Sequence, residues 1–301
     1  MTTKKVRIFG IPMDLGQNRR GVDMGPSAIR YAHLQEKLQQ MGCMTHDAGN
    51  ILVAQAEEDF QGDADPVNAH YLPQVLDVCQ TSYDKISSEL QSDEFGLFLG
   101  GDHSISIGTV AAAAQGQNIG VIWVDAHTDM NTPTESPSGN IHGMGLAALL
   151  GYGLPALVNI GGDGAKLRAE NVAVIGARSI DPRERGRVRE SGIKVYTMRD
   201  IDERSISVIA AEVLAKFAHL DRIHVSFDLD SCDPRFAPGV GTPVAGGLTY
   251  REAHLLMELL ADSGKVTSMD VVELNPILDI ENRTGETAVA MILSLVGQKI
   301  L

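Results

Sequence analysis

Three side chains with the chemistry of metal ligands follow one apolar run of the chain. Residues 119–124 are short, apolar and rich in β-branched and aromatic residues, which is typical of a buried strand. Asp125, His127 and Asp129 come directly after it. Because successive strand residues point to opposite faces, this i, i+2, i+4 spacing predicts that all three side chains share one side. Two carboxylates and an imidazole placed in this way form half of a metal site.

Three further predicted strands end in groups of the same kind, namely His103 after residues 95–99, Asp228 and Asp230 after residues 223–227, and Glu273 after residues 266–272. Four aspartates brought together in a buried site would repel one another strongly unless cations neutralised them. Two divalent cations would balance the four charges, and imidazole with carboxylate ligation suits Mn²⁺. The absence of thiolates from this set argues against a structural zinc site.

Each of these residues has an ordinary explanation when it is taken alone. A single aspartate at a strand end is most often a turn former or a helix cap, and His103 could be a hydrogen-bonded core histidine. The conjunction of two Asp-x-His/Asp patterns with a Gly-Gly-Asp-His, each directly after a strand, favours the metal site. We expect Asp102 to orient His103 or to cap a helix, and not to be a ligand.

An alternation of strands and helices must position these groups. Apolar runs predict strands at residues 6–12, 95–99, 119–124, 172–176, 193–196, 223–227 and 266–272. Helical patterns cover residues 65–90, 144–150, 206–220 and 285–295. Two more helices are predicted to begin at Pro26 and at a capping box formed by Thr249 and Glu252. Because no linker or repeat interrupts this order, we expect one α/β domain over residues 1–301 around a mostly parallel sheet. Ligands bind such sheets outside the carboxyl ends of the strands.

Composition limits the classes of partner. The 301-residue chain has a formal net charge of −14, which argues against binding to nucleic acid or to an anionic membrane. Cys43, Cys79 and Cys232 form an odd, unpatterned set, which indicates reduced thiols. The N-terminal residues lack a signal-peptide core, and no apolar run is long enough for a membrane helix. We therefore expect a soluble, cytoplasmic protein.

Two segments lack apolar periodicity. Residues 47–65 are acidic and rich in turn formers, and residues 131–140 form a polar loop that is rich in Asn, Ser, Thr and Pro. Loops of this length in a compact domain are often functional. We therefore expect the second segment to contribute to a binding site.

Three short motifs together resemble the ureohydrolase family, and within it the bacterial-type arginases. They are residues 100–104 (GGDHS), 125–129 (DAHTD) and 226–230 (SFDLD), and the resemblance runs nearly end to end. It implies a three-layer fold with about eight mostly parallel strands flanked by helices. It also implies a homo-oligomer, trimeric or hexameric, and two Mn²⁺ ions per chain held by His103, Asp125, His127, Asp129, Asp228 and Asp230.

The resemblance also implies a reaction, the hydrolysis of L-arginine to L-ornithine and urea. A hydroxide that bridges the two ions would attack the guanidinium carbon, and Asp129 would accept the proton from the tetrahedral intermediate. Glu273 would pair with the guanidinium through two parallel charge-assisted hydrogen bonds. His142 would be the proton shuttle. Without the resemblance, His142 reads as a surface-loop histidine and Glu273 as a solvated charge.

The family's substrates differ at the end far from the guanidinium group. By resemblance, the α-carboxylate of L-arginine would be bound by Asn131, Ser136 and Ser138. The α-amino group would be bound by Asp181, with Glu184 acting through water, and Thr242 would line the guanidinium pocket. Agmatine lacks the carboxylate and would leave these buried donors unpaired, which is costly. L-Arginine is therefore the expected substrate.

Other functions remain open. The chain could be an agmatinase-like hydrolase, a non-catalytic family member retained for binding, or a deacetylase on the same fold. The intact set of ligands and the polar loop speak against the last two. One departure from the family pattern follows Asp230, where Ser231 and Cys232 replace the usual Gly-Leu. A serine in place of glycine could strain the backbone, and we expect Cys232 to be a buried, inert thiol.

Overall fold

Eight strands pair into one fully parallel sheet in the computed structural model, which describes residues 4–54, 67–115 and 117–299. The strands are β1 (Lys5–Ile11), β2 (Met44–Asn50), β3 (Glu94–Gly100), β4 (Gly120–Val124), β5 (Val172–Ala177), β6 (Lys194–Thr197), β7 (Ile223–Asp228) and β8 (Val266–Val272). Their order across the sheet is β2-β1-β3-β8-β7-β4-β5-β6. The predicted α/β class and the expected number of strands are confirmed.

Helices cover both faces of the sheet. They are α1 (Gly25–Tyr31), α2 (Leu34–Gln40), α3 (Leu72–Glu89), α4 (Ser106–Ala114), α5 (Gly145–Leu149), α6 (Pro155–Val158), α7 (Glu184–Ser191), α8 (Met198–Arg204), α9 (Ile206–Lys216), α10 (Tyr250–Asp262) and α11 (Arg283–Val296). Short 3₁₀ turns occupy Val22–Met24, His103–Ile105, Ile141–Met144, Ala169–Asn171 and Leu229–Ser231. None of the helices in the described ranges combines the length and the apolar character that a bilayer span requires.

Two apolar cores result, one on each face of the sheet. Alternate residues of β4 divide between them, with Ile122 and Val124 in one core and Val121 and Trp123 in the other. The first core contains α1, α2, α9, α10 and α11, and the second contains α3, α4 and α5. The sheet is therefore the middle of three layers, as the resemblance implied, and its central strands are buried on both faces.

One strand was missed by the sequence analysis. Strand β2 lies at the edge of the sheet and reads Met-Thr-His-Asp-Ala-Gly-Asn, which has no apolar alternation. Parallel pairing with β1 holds it, together with an ion pair of 2.7 Å from Arg30 Nε to Asp47 Oδ2. The expectation of a turn-rich segment was therefore wrong for residues 47–50. Half-exposed edge strands carry polar residues, so hydrophobic periodicity does not reveal them.

Most of the remaining boundaries agree within a few residues. Residues 131–140 contain neither helix nor strand, as expected. The capping box is present, because Thr249 and Glu252 each bond the other's backbone N–H at the start of α10. The helix predicted from Asp65 begins at Leu72 in the structure, and its predicted first residues, 65 and 66, lie outside the described residues. The predicted helix over residues 206–220 ends earlier, at Lys216.

Ser205 joins α8 to α9 in a backbone conformation that is nearly restricted to glycine. Its φ is 75° and its ψ is 151°, a region that costs a residue with a β-carbon about 1–3 kcal/mol. The side chain is exposed and its hydroxyl contacts Ser207 Oγ at 2.9 Å. The strain is therefore set by the helix junction and not by a buried contact.

We expect Ser205→Gly to raise the free energy of unfolding by about 1 kcal/mol, because relief of the strain exceeds the greater unfolded-chain entropy of glycine. Thermal or urea unfolding measures the change. Ser207→Gly is the matched control, since it removes the same hydroxyl contact from a helical position and should not stabilise the protein. Equal shifts in the two variants would contradict this explanation.

Candidate metal centre and its cavity

The strands that carry the predicted ligands are neighbours at the centre of the sheet. Strands β3, β8, β7 and β4 lie side by side, although they are far apart along the chain. Since all strands are parallel, their carboxyl ends meet at one edge. Nδ1 of His103, after β3, lies 3.3, 3.0 and 3.1 Å from carboxylate oxygens of Asp125, Asp129 and Asp228.

A second group adjoins the first. Nδ1 of His127 lies 3.4 Å from Asp125 Oδ1 and 3.2 Å from Asp230 Oδ2. Asp125 belongs to both groups, because its Oδ2 faces His103 and its Oδ1 faces His127. Candidate ligand atoms of His103, Asp125 and Asp129 lie within 4.8 Å of one another, and so do those of Asp125, His127 and Asp230. The structure thus brings all six predicted ligands together, in two groups that share one carboxylate.

The backbone achieves this by turns and not by strand alternation. Strand β4 ends at Val124, and Asp125 Oδ1 accepts the backbone N–H of His127 at 2.7 Å. Asp228 Oδ1 accepts the backbone N–H of Asp230 in the same way, at 2.8 Å. Such Asx turns bring residue i+2 back beside the aspartate. The predicted clustering occurs, but the spacing works for a different reason from the one that the sequence analysis gave.

The cluster contains more carboxylates than imidazoles, and this excess of negative charge is one that a cation would balance. Burial disfavours the charged imidazole, yet the close carboxylates of Asp125, Asp129 and Asp228 raise the pKa of His103 well above its usual range. Burial and the charge of Asp125 raise the pKa of Asp129 to about 7. Burial and the neighbouring charges of Asp230 and Asp125 raise the pKa of Asp228 well above its usual range. Protons are therefore retained where carboxylates crowd together.

Two buried atoms of the first group support the fit to a metal ion. His103 Nδ1 and Asp129 Oδ2 make no well-aligned hydrogen bond within the described part of the chain, although they lie 3.0 Å apart. Buried polar atoms without hydrogen bonds are costly, and a cation placed between them removes that cost. Imidazole nitrogens and carboxylate oxygens are donors that divalent first-row metals accept.

Further residues, which the sequence analysis missed, hold His103 in place. Its ring stacks on Trp123, with centroids 4.1 Å apart and planes at 10°, and Trp123 Nε1 donates to Asp125 Oδ2 at 2.9 Å. His103 Nε2 lies 2.8 Å from Ser226 Oγ, which in turn lies 3.3 Å from Asp270 Oδ2. With Nε2 donating to the hydroxyl, Nδ1 keeps its lone pair for a ligand bond. Ser226 lies two residues before Asp228 on β7, so strand alternation could have predicted that both side chains lie on the same face of the sheet.

Asp102 caps the short turn that begins at His103. Its Oδ1 accepts the backbone N–H of Ser104 at 3.0 Å, and its Oδ2 accepts that of Gly16 at 2.8 Å. Neither group of candidate ligands includes it. This agrees with the expectation that Asp102 supports the site from outside the ligand set. A β-carbon at Gly16 would lie 2.6 Å from Asp102 Oδ1, so glycine permits this approach.

A cavity of about 190 Å³ opens onto the cluster. Its floor contains His127, Asp129, Asp228 and Asp230. Its walls include His142 and six of the seven side chains predicted to bind the substrate, namely Asn131, Ser136, Ser138, Asp181, Glu184 and Thr242. Asn140, Gly143 and Ser179 also line it and were not predicted. Asn140 lies at the end of the predicted polar loop and Gly143 directly follows His142. The position of the loop could therefore have indicated both residues.

Glu273 lies behind His142 and does not line this cavity. Its side chain is 1% exposed, and its Oε1 accepts from His142 Nδ1 at 3.0 Å and from the backbone N–H of His103 at 2.9 Å. Oε2 accepts from Gln17 Nε2 at 2.9 Å. Burial lowers the pKa of His142, but the bond to Glu273 outweighs it and raises that pKa to about 9. Direct pairing of Glu273 with a guanidinium stays a prediction, while its bond to His142 is present.

The wall residues are tied to one another. Asn131 Nδ2 donates to Asp181 Oδ2 at 2.9 Å, and Glu184 Oε1 accepts the backbone N–H of Met130 at 2.7 Å. Thr242 Oγ1 donates to the candidate ligand Asp230, at 3.0 Å. These bonds connect the walls to the floor, so the cavity is held together by polar contacts.

Ser231 and Cys232 do not strain the loop after β7. Ser231 has no positive φ, and its hydroxyl donates to the carbonyl of Asp228 at 2.6 Å. The expectation of backbone strain was therefore wrong. Burial raises the pKa of the Cys232 thiol to about 12, which makes it inert. Arg178, which was not predicted, donates to the carbonyls of Asp230 and Val244, each at 2.7 Å, and so clamps this loop.

The parallel sheet and the cluster at its carboxyl edge define a class, the α/β enzymes that hold their active groups where neighbouring strands end. Sequence comparison gives the family. The model of the arginase family matches residues 4–297. The chain therefore belongs to the arginase family, whose members are hydrolases.

Individual relatives agree with this assignment over the whole length. The chain is 51% identical over 299 residues to the arginase of Bacillus subtilis strain 168, and the match covers 99% of each chain. It is 49% identical to the arginase of Bacillus caldovelox, over 99% of this chain and 100% of that one. The crystal structures of arginases from Bacillus cereus and Bacillus caldovelox share the fold with TM-scores of 0.93 and 0.94, at 48% and 49% identity, over 99% of this chain and 100% of each of theirs.

We expect Ser226→Ala to weaken the binding of a divalent cation about tenfold to hundredfold, because it removes the partner that fixes the ring of His103. Titration calorimetry on the metal-free protein measures the affinity. Ser268→Ala is the matched control, since Ser268 is an equally buried serine on β8 whose hydroxyl contacts His224 and not His103. An equal loss in both variants would show that packing, and not orientation of His103, is responsible.

Cation binding should release protons and strengthen as the pH rises. The pKa of His103 and that of His127 are raised, so both imidazoles hold protons near neutral pH in the metal-free protein. A cation must displace these protons, so the affinity should fall about tenfold for each pH unit by which the pH is lowered, for each proton displaced. Calorimetry in buffers of different ionisation enthalpy counts the protons. Equal affinities at pH 6 and pH 8 would contradict this account.

Proposed function

We propose that the protein hydrolyses L-arginine to L-ornithine and urea and uses two Mn²⁺ ions per chain. The observation that carries the proposal is the pair of carboxylate–imidazole groups that share Asp125. They adjoin a polar cavity, whose floor includes Asp129 and Asp230. The relatives named above, which are arginases and match the chain from end to end, support it. The first ion would be held by His103, Asp125, Asp129 and Asp228, and the second by His127, Asp125, Asp228 and Asp230.

When they are bound, two divalent cations lower the pKa of water toward neutrality and supply a hydroxide nucleophile for the guanidinium carbon. The chain's own groups orient the substrate and move the protons. Asp129, at the floor, would accept the proton released as that carbon becomes tetrahedral. His142 would carry a proton between the cavity and the departing amine, since Glu273 holds its ring by Nδ1 and leaves Nε2 for the cavity.

The walls favour an amino acid over an amine as substrate. Asn131, Ser136 and Ser138 would bind the α-carboxylate, and Asp181 with Glu184 would bind the α-amino group. Thr242, bonded to Asp230, would line the guanidinium end. Agmatine would leave the donors to the carboxylate unpaired. A polar site of this kind strongly rejects an analogue that lacks the group it binds. The agmatinase-like alternative is therefore disfavoured by the composition of the wall.

The assembly, the compartment and the domain organisation belong to the same proposal. We propose a homo-oligomer, trimeric or hexameric, of chains that each form one domain over residues 1–301 and act in the cytoplasm. The odd number of cysteines supports a reducing compartment, because Cys43, Cys79 and Cys232 are all free thiols. The net charge of −14 is consistent with a small-molecule substrate and not with nucleic acid or a membrane.

Urea release from L-arginine and from agmatine, with and without added Mn²⁺, tests the function. We expect kcat/KM for L-arginine to exceed that for agmatine by about a hundredfold or more, and chelation to abolish both. Asp230→Asn should lower Mn²⁺ content and activity together. Asp233→Asn is its control, because Asp233 bonds the exposed side chain of Arg235 outside the cluster. Greater activity on agmatine, or no urea from either substrate at full metal content, would overturn the proposal.

A further inference from the structure

The polar wall of the cavity has no regular structure of its own. The wall loop, residues 131–140, contributes Asn131, Ser136, Ser138 and Asn140 to the cavity, yet it contains neither helix nor strand. Recognition of a small charged group requires donors fixed to within a fraction of an ångström. Bonds within the loop, such as the one from the backbone N–H of Ser136 to the carbonyl of Thr132, are therefore supplemented by contacts from outside it.

A short segment just before α3 supplies that support. Asn68 Nδ2 donates to the carbonyl of Pro133 at 2.7 Å and to that of Ser136 at 3.0 Å. Both partners are carbonyl oxygens, which can only accept, so the amide nitrogen and not its oxygen faces the loop. One side chain thus bonds two points of the wall loop, and one of these is the residue whose side chain lines the cavity.

His70 adds two more bonds to the same stretch. Its backbone N–H donates to the carbonyl of Gly139 at 3.0 Å, and its Nε2 donates to the carbonyl of Ser138 at 2.9 Å. The carbonyls of four residues of the wall loop are therefore bonded by Asn68 and His70. Neither of these two residues lines the cavity. They act on the wall from behind, through its backbone.

The backbone on both sides is shaped for this contact. Asn68 has a φ of 54°, a left-handed conformation that asparagine tolerates better than most residues. Gly139 has a φ of 73°, and a β-carbon there would lie 2.7 Å from Asn68 Oδ1 and 2.9 Å from His70 Nε2. Glycine is required at this position both by its conformation and by the close approach of the two side chains. The contact is thus built into the fold.

We infer that Asn68 and His70 are positioning residues for substrate specificity, which hold Ser136 and Ser138 where they bind the carboxylate of the substrate. The inference rests on the proposed function, because it assigns the wall loop to the α-carboxylate of an amino acid. It places a determinant of specificity outside the cavity. Loss of these bonds relaxes the serines, and the cost falls on ligands that carry the carboxylate and not on those that lack it.

Asn68→Asp is the sharpest variant, because it keeps the size and the left-handed tolerance of the side chain and removes both donors. We expect KM for L-arginine to rise about tenfold, which corresponds to the loss of two hydrogen bonds, with little change in kcat. KM for agmatine should stay within about twofold, since agmatine has no carboxylate to misplace. His70→Ala, which removes the bond to the Ser138 carbonyl, should shift the same ratio in the same direction by less.

A binding measurement separates this role from an effect on turnover. L-Ornithine and putrescine differ by the α-carboxylate alone, and calorimetry on the Mn²⁺-loaded protein gives both dissociation constants. Asn68→Asp should weaken L-ornithine about tenfold and leave putrescine unchanged. Asn159→Asp is the matched control, because Asn159 lies in an exposed turn where its oxygen accepts from Gly164 and touches no part of the wall loop. It should change neither ligand.

The outcomes distinguish this inference from the proposed function. If the unmodified protein releases urea from neither substrate, the proposed function fails. If the unmodified protein prefers L-arginine and Asn68→Asp keeps the same preference for L-arginine and for L-ornithine, the function stands and the inference is overturned. An equal loss for ligands with and without the carboxylate, together with a lower Tm, would show a structural role only and would also overturn it.

Discussion

The concentration of buried negative charge at one edge of the sheet is the constraint on which the rest of the structure depends. Asp125, Asp129, Asp228 and Asp230 lie against two imidazoles and are almost fully buried. In low dielectric such a group is tolerable only with protons or cations among its members. The raised pKa of Asp129 and that of Asp228 are the mark of this crowding. The fold has to hold these side chains together against their mutual repulsion.

The topology of the sheet holds these side chains together. Strands β3, β8, β7 and β4 are adjacent, and three ladders of backbone hydrogen bonds between them fix the positions of the strand ends. The backbone N–H of His103 and the carboxylate of Glu273 meet at 2.9 Å although 170 residues separate them. Trp123, fully buried, stacks on His103 and bonds Asp125 at the same time. Apolar packing on both faces of the sheet is therefore what stabilises the polar cluster at its edge.

The sequence revealed the strand ends but not how they meet. Apolar runs located seven of the eight strands, and the acidic residues after them predicted the cluster. Strand β2 escaped because an edge strand has no apolar alternation to read. Periodicity also carries no information on which strands are neighbours, so the link between Glu273 and His142 could not be derived from it. Asn68 could not be identified from the sequence either, because a residue that bonds only backbone carbonyls belongs to no recognisable motif.

Two acidic residues at or beside the cluster have left-handed backbone conformations. Asp129 has a φ of 48° and Glu273 a φ of 68°, and neither is glycine. Such conformations persist only where the surroundings determine them. The carbonyl of Asp129 accepts from the backbone of Ala147 at 3.1 Å, and the backbone N–H of Glu273 donates to the carbonyl of Gly101 at 2.8 Å. Asp129 on the floor of the cavity is thus tied to the start of a helix, and Glu273 behind His142 is tied to the end of a strand.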